Sequence, residues 1–181
     1  MVRHLKVLYT ITLLLVIPVS VLGVKLKTVH LEDYGSIDKA SIDNTIRKAM
    51  QDLDGKRLQL PNIPIECNEI KITGRNKFVI EGSRQNAITC SMFQIDNSNQ
   101  FEITGIYLKG TVNKFTSFNV IGDCSDFSIH NCLFDSEKQV DGHNSFYGIH
   151  IIADTQKSDV NFSNSPRNFG SLAKPCVEKL V

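Results

Sequence analysis

One short pattern recurs four times along the chain and constrains the fold more than any other feature. Each copy reads polar, apolar, variable, apolar, variable and then Gly or Asn, and the steps between copies are 23, 26 and 33 residues. The copies occupy residues 77–83, 100–106, 126–132 and 159–165. Repetition of short strand-like pieces at this period is typical of a solenoid.

The pieces between the copies indicate which kind of solenoid to expect. No helical period appears after residue 57, and each copy is accompanied by further β-favouring pieces, such as Phe118-x-Val120 and Ile149-x-Ile151. About three strands per copy favour a chain that coils through three faces and stacks like strands at about 4.8 Å. An ordinary β-sandwich is the alternative, but it does not explain four copies of one pattern. We therefore predict an all-β parallel solenoid.

Stacked copies place equivalent apolar residues in one interior. We expect Phe78, Phe101 and Phe127 to form a single internal column, and Phe134 to be core as well. Gly or Asn at the end of each copy suits a corner with a left-handed backbone.

A single amphipathic helix is predicted before the coils, over residues 42–53. Its apolar residues fall on one face, Ser41 or Asp43 can cap its start, and Gly55 is suited to end it. The end of a solenoid exposes apolar interior and strand edges, so we expect this helix to cover that end. The apolar face consists of Ile42, Ile46, Ala49, Met50 and Leu53.

The first residues have the composition of an export signal. Residues 1–23 combine a basic start, an apolar stretch too short for the roughly 20 residues of a membrane span, and Pro18. We predict a signal peptide at 1–23, an N-terminal strand and capping helix at 24–56, and coils with a C-terminal tail at 57–181. The expected location is secreted, extracellular or periplasmic, without membrane contact after signal removal. An uncleaved membrane anchor is the alternative.

Charge and cysteine content argue against nucleic acid as a partner and against a zinc site. With 20 Lys and Arg against 19 Asp and Glu, the chain lacks the basic excess of a nucleic-acid-binding protein. The cysteines number five, so they cannot all pair within one chain, and their spacing does not resemble a zinc site. Cys67 and Cys90 are separated by one repeat step, which makes them a disulfide candidate on adjacent coils.

The order of elements resembles the start of pectin-lyase-like right-handed β-helix proteins, a superfamily that includes polygalacturonases, pectate lyases and phage tailspike depolymerases. The resemblance lies in residues 29–35, 43–45 and 57–61, and the coils continue it to about residue 165. Asn44 replaces an Asp of the usual helix start, and Ile63 replaces a Gly.

The resemblance implies a right-handed parallel β-helix of about four to five coils. It also implies a secreted protein that acts on polysaccharide as a glycoside hydrolase or a polysaccharide lyase, including a shortened copy with an incomplete site. The alternative is a non-catalytic exported module that binds glycans or a surface, with a homo-trimer as one assembly. No cofactor or metal is expected, apart from calcium if the protein is a lyase.

Candidate catalytic residues lie in the insertion between the third and fourth copies. His143 can act as acid or base, with Asp141 and Asp154 as paired carboxylates, although residues of this kind are also common in solvated loops. The wider patch comprises Asp135, Glu137, Asp141, His143, His150 and Asp154. For substrate binding the candidates are three aromatic residues that can stack on sugar rings and one basic residue: Tyr107, Phe146, Tyr147 and Arg167.

Overall fold

The computed structural model of the chain describes residues 25–111, 116–136, 146–152 and 159–161. These residues form fourteen strands, one α-helix, α1 (Ile42–Gln51), and one short 3₁₀ helix (Leu31–Tyr34). The strands are β1 (Lys27–His30), β2 (Lys56–Gln59), β3 (Ile65–Glu66), β4 (Glu69–Thr73), β5 (Asn76–Glu81), β6 (Ile88–Thr89), β7 (Met92–Asp96), β8 (Asn99–Thr104), β9 (Tyr107–Gly110), β10 (Thr116–Ile121), β11 (Ser128–His130), β12 (Leu133–Ser136), β13 (Phe146–Ile152) and β14 (Asp159–Asn161).

The strands form three sheets, and every described strand pairing within them is parallel. Sheet 1 has the order β1-β2-β5-β8-β11-β14, sheet 2 the order β4-β7-β10-β13, and sheet 3 the order β3-β6-β9-β12. The chain visits sheet 1, sheet 3 and sheet 2 in turn and then returns to sheet 1. The protein is therefore a β-solenoid, of about three turns. Its handedness and total number of coils stay predictions.

The predicted internal column is confirmed. Phe78 lies opposite Phe101 in register, their rings are stacked 5.3 Å apart, and the ring of Phe127 lies 4.9 Å beyond that of Phe101. A second interior row joins Phe93, Phe118 and Phe134 at ring separations of 5.2 and 5.3 Å. All of these rings are buried, so aromatic residues in contact with one another fill much of the space enclosed by the three sheets.

The alignment of the fourth copy is wrong by two residues. The pattern matched Asp159 with Asp126, but in the structure Asp159 lies opposite Ser128 and Val160 opposite Ile129. A shift of two preserves the alternation of inward and outward side chains, so the apolar pattern alone fits both alignments. The first two steps are confirmed by the pairing of β5 with β8 and of β8 with β11.

The predicted left-handed backbone is confirmed at the ends of the second and third copies but is wrong for Gly82, the end of the first copy, whose φ is not positive. Gly105 and Asn131, at the ends of their copies, have φ angles of 67° and 55°. Two further rows of left-handed residues occur where successive coils stack, and one of them immediately precedes the Phe column. The rows are Gly74, Asn97 and Gly122, and Lys77, Gln100 and Asp126.

The predicted apolar face of the helix is confirmed, because its five residues are all buried. The helix ends at Gln51, so Leu53 belongs to the following turn, and Gly55 has the left-handed φ of 71° expected of a stop. The predicted cap is wrong. Ser41 makes no side-chain cap, and the carboxylate of Asp38 instead accepts the N–H groups of Ala40 and Ser41 at 2.9 and 3.0 Å.

Polar contacts hold the helix on the end of the solenoid. Asp43 accepts hydrogen bonds from the backbone N–H and the side-chain amide of Asn68, at 2.7 and 2.5 Å. At the other end of the helix, Asp52 pairs with Lys56 and accepts the hydroxyl of Tyr34. The hydrogen bond from Lys56 holds the pKa of Asp52 below its ordinary value.

Candidate functional site

Strand alternation turns every second side chain of the solenoid outward, and on sheet 2 the outward residues form a polar row. Lys71 lies opposite Gln94, Gln94 opposite Asn119, and Asn119 opposite His150. We call these four residues the polar column. They alternate with apolar residues such as Ile70, which fill the interior. The column therefore follows from the same pattern that builds the core.

The polar column crosses four neighbouring strands at steps of about 4.8 Å. Lys71 and His150 are exposed, while Gln94 and Asn119 are half-buried. The amide of Asn119 donates to the hydroxyl of Ser117 at 3.3 Å, on the same strand. Because a side-chain amide offers both donors and acceptors, this row can bind a ligand rich in hydroxyl groups that runs parallel to the solenoid axis.

A second group of outward residues lies on sheet 1, and we call it the acid–base cluster. Glu81 accepts a hydrogen bond from Arg57 at 3.1 Å. Glu102 Oε1 and His130 Nε2 are 3.0 Å apart, and Nδ1 of the same ring lies 3.4 Å from the hydroxyl of Thr104. All of these side chains are partly exposed.

The two carboxylates of the acid–base cluster protrude from neighbouring strands. Glu81 lies opposite Thr104, and Glu102 is two residues earlier on the same strand as Thr104. Strand rise and spacing then put the two side-chain origins about 8 Å apart on one face. Inverting glycoside hydrolases use carboxyl groups about 6.5–9.5 Å apart. Each carboxylate here already has a basic partner, Arg57 or His130.

Three predicted catalytic residues and one predicted substrate-binding residue lie outside the described residues. They are Asp141, His143 and Asp154, and Arg167. Their assignment stays a prediction.

The predicted aromatic residues are divided between two sheets. Phe146 and Tyr147 belong to β13 in sheet 2. Tyr107 begins β9 in sheet 3, where its half-buried hydroxyl donates to Asp135 at 3.2 Å. Within the wider patch, Asp135 lies on sheet 3 and His150 on sheet 2, so the structure does not bring these two residues together.

The outward residues of sheets 1 and 2 were missed as candidates, although the repeat contains the signal. Glu102 and His130 stand at the variable positions of their copies, and Glu81 does so in the first copy. Variable positions on the outside of a coil are where charged side chains can lie next to one another. Aligning the copies puts Glu81 and His130 in one outward column and Glu102 in the other, which predicts these three members of the cluster without a structure.

The four described cysteines are buried. Cys67 lies one coil before Cys90, because Glu66 pairs with Thr89 and Cys67 N donates to Thr89 O. This confirms that the two cysteines occupy adjacent coils, while the disulfide between them stays a prediction. Burial raises the pKa of the Cys132 thiol to about 11 and also raises that of Cys124. Buried thiols of this kind behave as apolar core residues.

Comparisons with known proteins give no family for the chain. A scan against protein-family models, a search of curated proteins and a search of solved structures each found no match. Within the described ranges, no helix is long and apolar enough to cross a membrane. In the same ranges, no three His, Cys, Asp or Glu residues are grouped so as to hold a metal ion.

Proposed function

We propose that this protein is an exported β-solenoid of the pectin-lyase-like type that binds polysaccharide along the outer face of sheet 2. The observation that carries the proposal is the polar column of Lys71, Gln94, Asn119 and His150, held in register on four neighbouring strands. The predicted signal at residues 1–23 supports export, and the resemblance in residues 29–61 supports the family type.

The physical argument rests on the match between a regular surface and a regular polymer. Parallel strands repeat their side chains at a fixed spacing of about 4.8 Å, so the column offers evenly spaced hydrogen-bonding groups. A polysaccharide presents hydroxyl groups repeatedly along its length. Several weak contacts that engage together bind far more tightly than any one of them. Two amides in the middle of the column, from Gln94 and Asn119, provide donors and acceptors for such contacts.

The test is binding of the purified protein to a panel of neutral and acidic polysaccharides by affinity electrophoresis. Replacing Asn119 with Ala should weaken binding about 5- to 10-fold, as expected for loss of a hydrogen bond in a recognition site. Gln59→Ala is the matched control, because Gln59 is a half-buried outward amide on sheet 1. Equal retardation of the two variants contradicts the proposal. So does a wild-type protein that no polysaccharide of the panel retards.

A second candidate function is hydrolysis of the glycosidic bond at the acid–base cluster. The observation that favours it is the placement of Glu81 and Glu102 on one face of neighbouring strands. In this function one carboxyl group donates a proton to the leaving oxygen and the other activates water. His130 then holds Glu102 in position through its ring nitrogen.

Hydrolysis is measured as the release of reducing ends from the polysaccharides that the protein binds. Glu81→Gln and Glu102→Gln should each lower the rate about 100-fold or more if these groups act as acid and base. Glu66→Gln is the control, since Glu66 is an exposed carboxylate on sheet 3. Products with unsaturated ends indicate a lyase instead, and activity that survives both substitutions excludes the cluster.

A further inference from the structure

A groove of about 390 Å³ lies between helix α1 and the first strand of sheet 2. This volume is within the range of about 300–1,000 Å³ typical of small-ligand sites. Six of its lining residues are polar or charged, and Ile46 is the apolar one. The polar residues are Asp43, Asn44, Arg47, Asn68, Glu69 and Lys71.

Some of these groups are already engaged in holding the groove together. Both carboxylate oxygens of Asp43 accept hydrogen bonds from Asn68, at 2.7 and 2.5 Å, which ties the helix to the strand. One guanidinium N–H of Arg47 donates a hydrogen bond to Oδ1 of Asn44 at 2.5 Å. An arginine has five N–H donors, so most of the donors of Arg47 remain for a ligand.

Two further charged residues of the lining belong to strand β4. Lys71 and Glu69 are exposed and, among the described residues, neither forms an ion pair. Lys71 is also the first residue of the polar column, so the groove opens directly onto that column. A ligand chain that follows the column toward β4 therefore arrives beside Arg47 and Lys71.

We propose that the groove binds an anionic substituent, a carboxylate or a sulfate ester, of the polysaccharide that lies along the polar column. This inference rests on the proposed polysaccharide binding and adds the charge of the ligand and the place where that charge is recognised. A guanidinium matches the planar oxygen pairs of such anions and binds them through two parallel hydrogen bonds. Lys71 adds a second positive charge from the opposite wall.

Glu69, like Asp43, brings a carboxylate to the groove and limits how much negative charge the groove accepts. Its carboxylate shares the outward face of β4 with Lys71, two residues away. It therefore opposes a second anion while accepting hydrogen bonds from neighbouring ligand hydroxyls. Replacing Glu69 with Gln should tighten the binding of a highly charged ligand about threefold, an effect that misfolding does not produce.

The experiment uses three probes with one backbone: dextran, carboxymethyl dextran and dextran sulfate. Isothermal titration at low ionic strength should show tighter binding of one or both charged probes than of dextran. Arg47→Gln should weaken the charged probes about tenfold and leave dextran unchanged. Lys48→Gln is the control, since Lys48 is an exposed cation on the same helix that does not line the groove. The charged probe that responds to Arg47→Gln identifies the source of the anion.

Several results overturn the inference. One is a wild-type protein that binds neither charged dextran more tightly than it binds dextran. Another is an Arg47→Gln variant that binds the charged dextrans as tightly as the Lys48→Gln variant does. A Glu69→Gln variant that binds no more tightly also contradicts it. Failure of the proposed function looks different, because Asn119→Ala then binds every probe like the wild type while Arg47→Gln still weakens the charged ones.

Discussion

At the scale of single residues, the corners of the coil set the tightest limits on the sequence. Gly82 and Gly105 face each other on successive coils, and the N–H of Gly82 donates to Thr104 O at 2.9 Å. A β-carbon built on Gly105 would lie 2.5 Å from the carbonyl oxygen of Gly82. At Gly74, whose φ of 64° is nearly the same, no atom beyond the glycine and its two chain neighbours lies within 4 Å of such a carbon. Substitutions at the two glycines therefore distinguish the cost of backbone strain, which both positions share, from the cost of overlap with a neighbouring coil, which only Gly105 has.

We expect Gly105→Ala to lower the free energy of unfolding by about 3 kcal/mol or more, because strain and overlap add. Gly74→Ala should cost only about 1–2 kcal/mol, the strain of a left-handed alanine. Urea unfolding of the two variants and the wild type measures both values. Similar losses for the two variants would contradict the close stacking of these coils.

The buried thiol of Cys132 makes the stability of the protein depend on pH. Burial disfavours the thiolate and raises the pKa of the Cys132 thiol in the folded protein from about 9 to about 11. Below pH 9 the thiol is protonated in both the folded and the unfolded chain, so its contribution to the free energy of unfolding is fully present. Between pH 9 and 11 the unfolded chain loses the proton first, so stability falls as pH rises.

The Cys132→Ala variant should therefore lose less stability than the wild type between pH 8 and pH 11. The shift in pKa corresponds to a difference of about 2–3 kcal/mol. Urea unfolding of both proteins at the two pH values measures this difference, and other titrating groups cancel between them. Parallel losses of stability in the two proteins would show that the thiol is not buried as the structure has it.

At the scale of elements, the helix and the interior were predictable because both depend on apolar periodicity alone. Phe78 and Phe101 mark one strand position in each copy, and Met50 marks the helix face. The helix cap was missed because Asp38 acts from outside the periodic segment. The register of β14 was predicted wrongly because a shift of two residues leaves every side chain on the same face of the sheet.

The capping role of α1 predicts a large cost for losing its apolar contacts. Met50 is 3% exposed, and Met50→Ala should lower the free energy of unfolding by about 2–4 kcal/mol. Lys48→Ala, on the solvent side of the same helix, should change it by about 0.5 kcal/mol or less. Chemical unfolding of the two variants provides the comparison. A small loss for Met50→Ala would mean that the helix does not cover the solenoid end.

At the scale of the whole molecule, the solenoid separates its core from its surfaces. Alternation within each strand fills the interior with residues such as Phe93 and leaves residues such as Gln94 outside. The sequence could predict which residues face outward, but grouping them into surfaces required the pairing of strands that are more than 20 residues apart. The candidate catalytic residues Asp141 and His143 belong to an insertion that has no counterpart in the other copies. The repeat therefore carries no information about their position.

The most direct test of polysaccharide binding along sheet 2 uses the side-chain amide signals in a two-dimensional ¹⁵N NMR spectrum. On titration with a polysaccharide fragment that the protein binds, the amides of Gln94 and Asn119 should shift together and saturate at the same concentration. Those of Gln59 and Asn99, which belong to sheet 1, should stay in place. Shifts confined to Gln59 and Asn99, with Gln94 and Asn119 unchanged, would contradict the account.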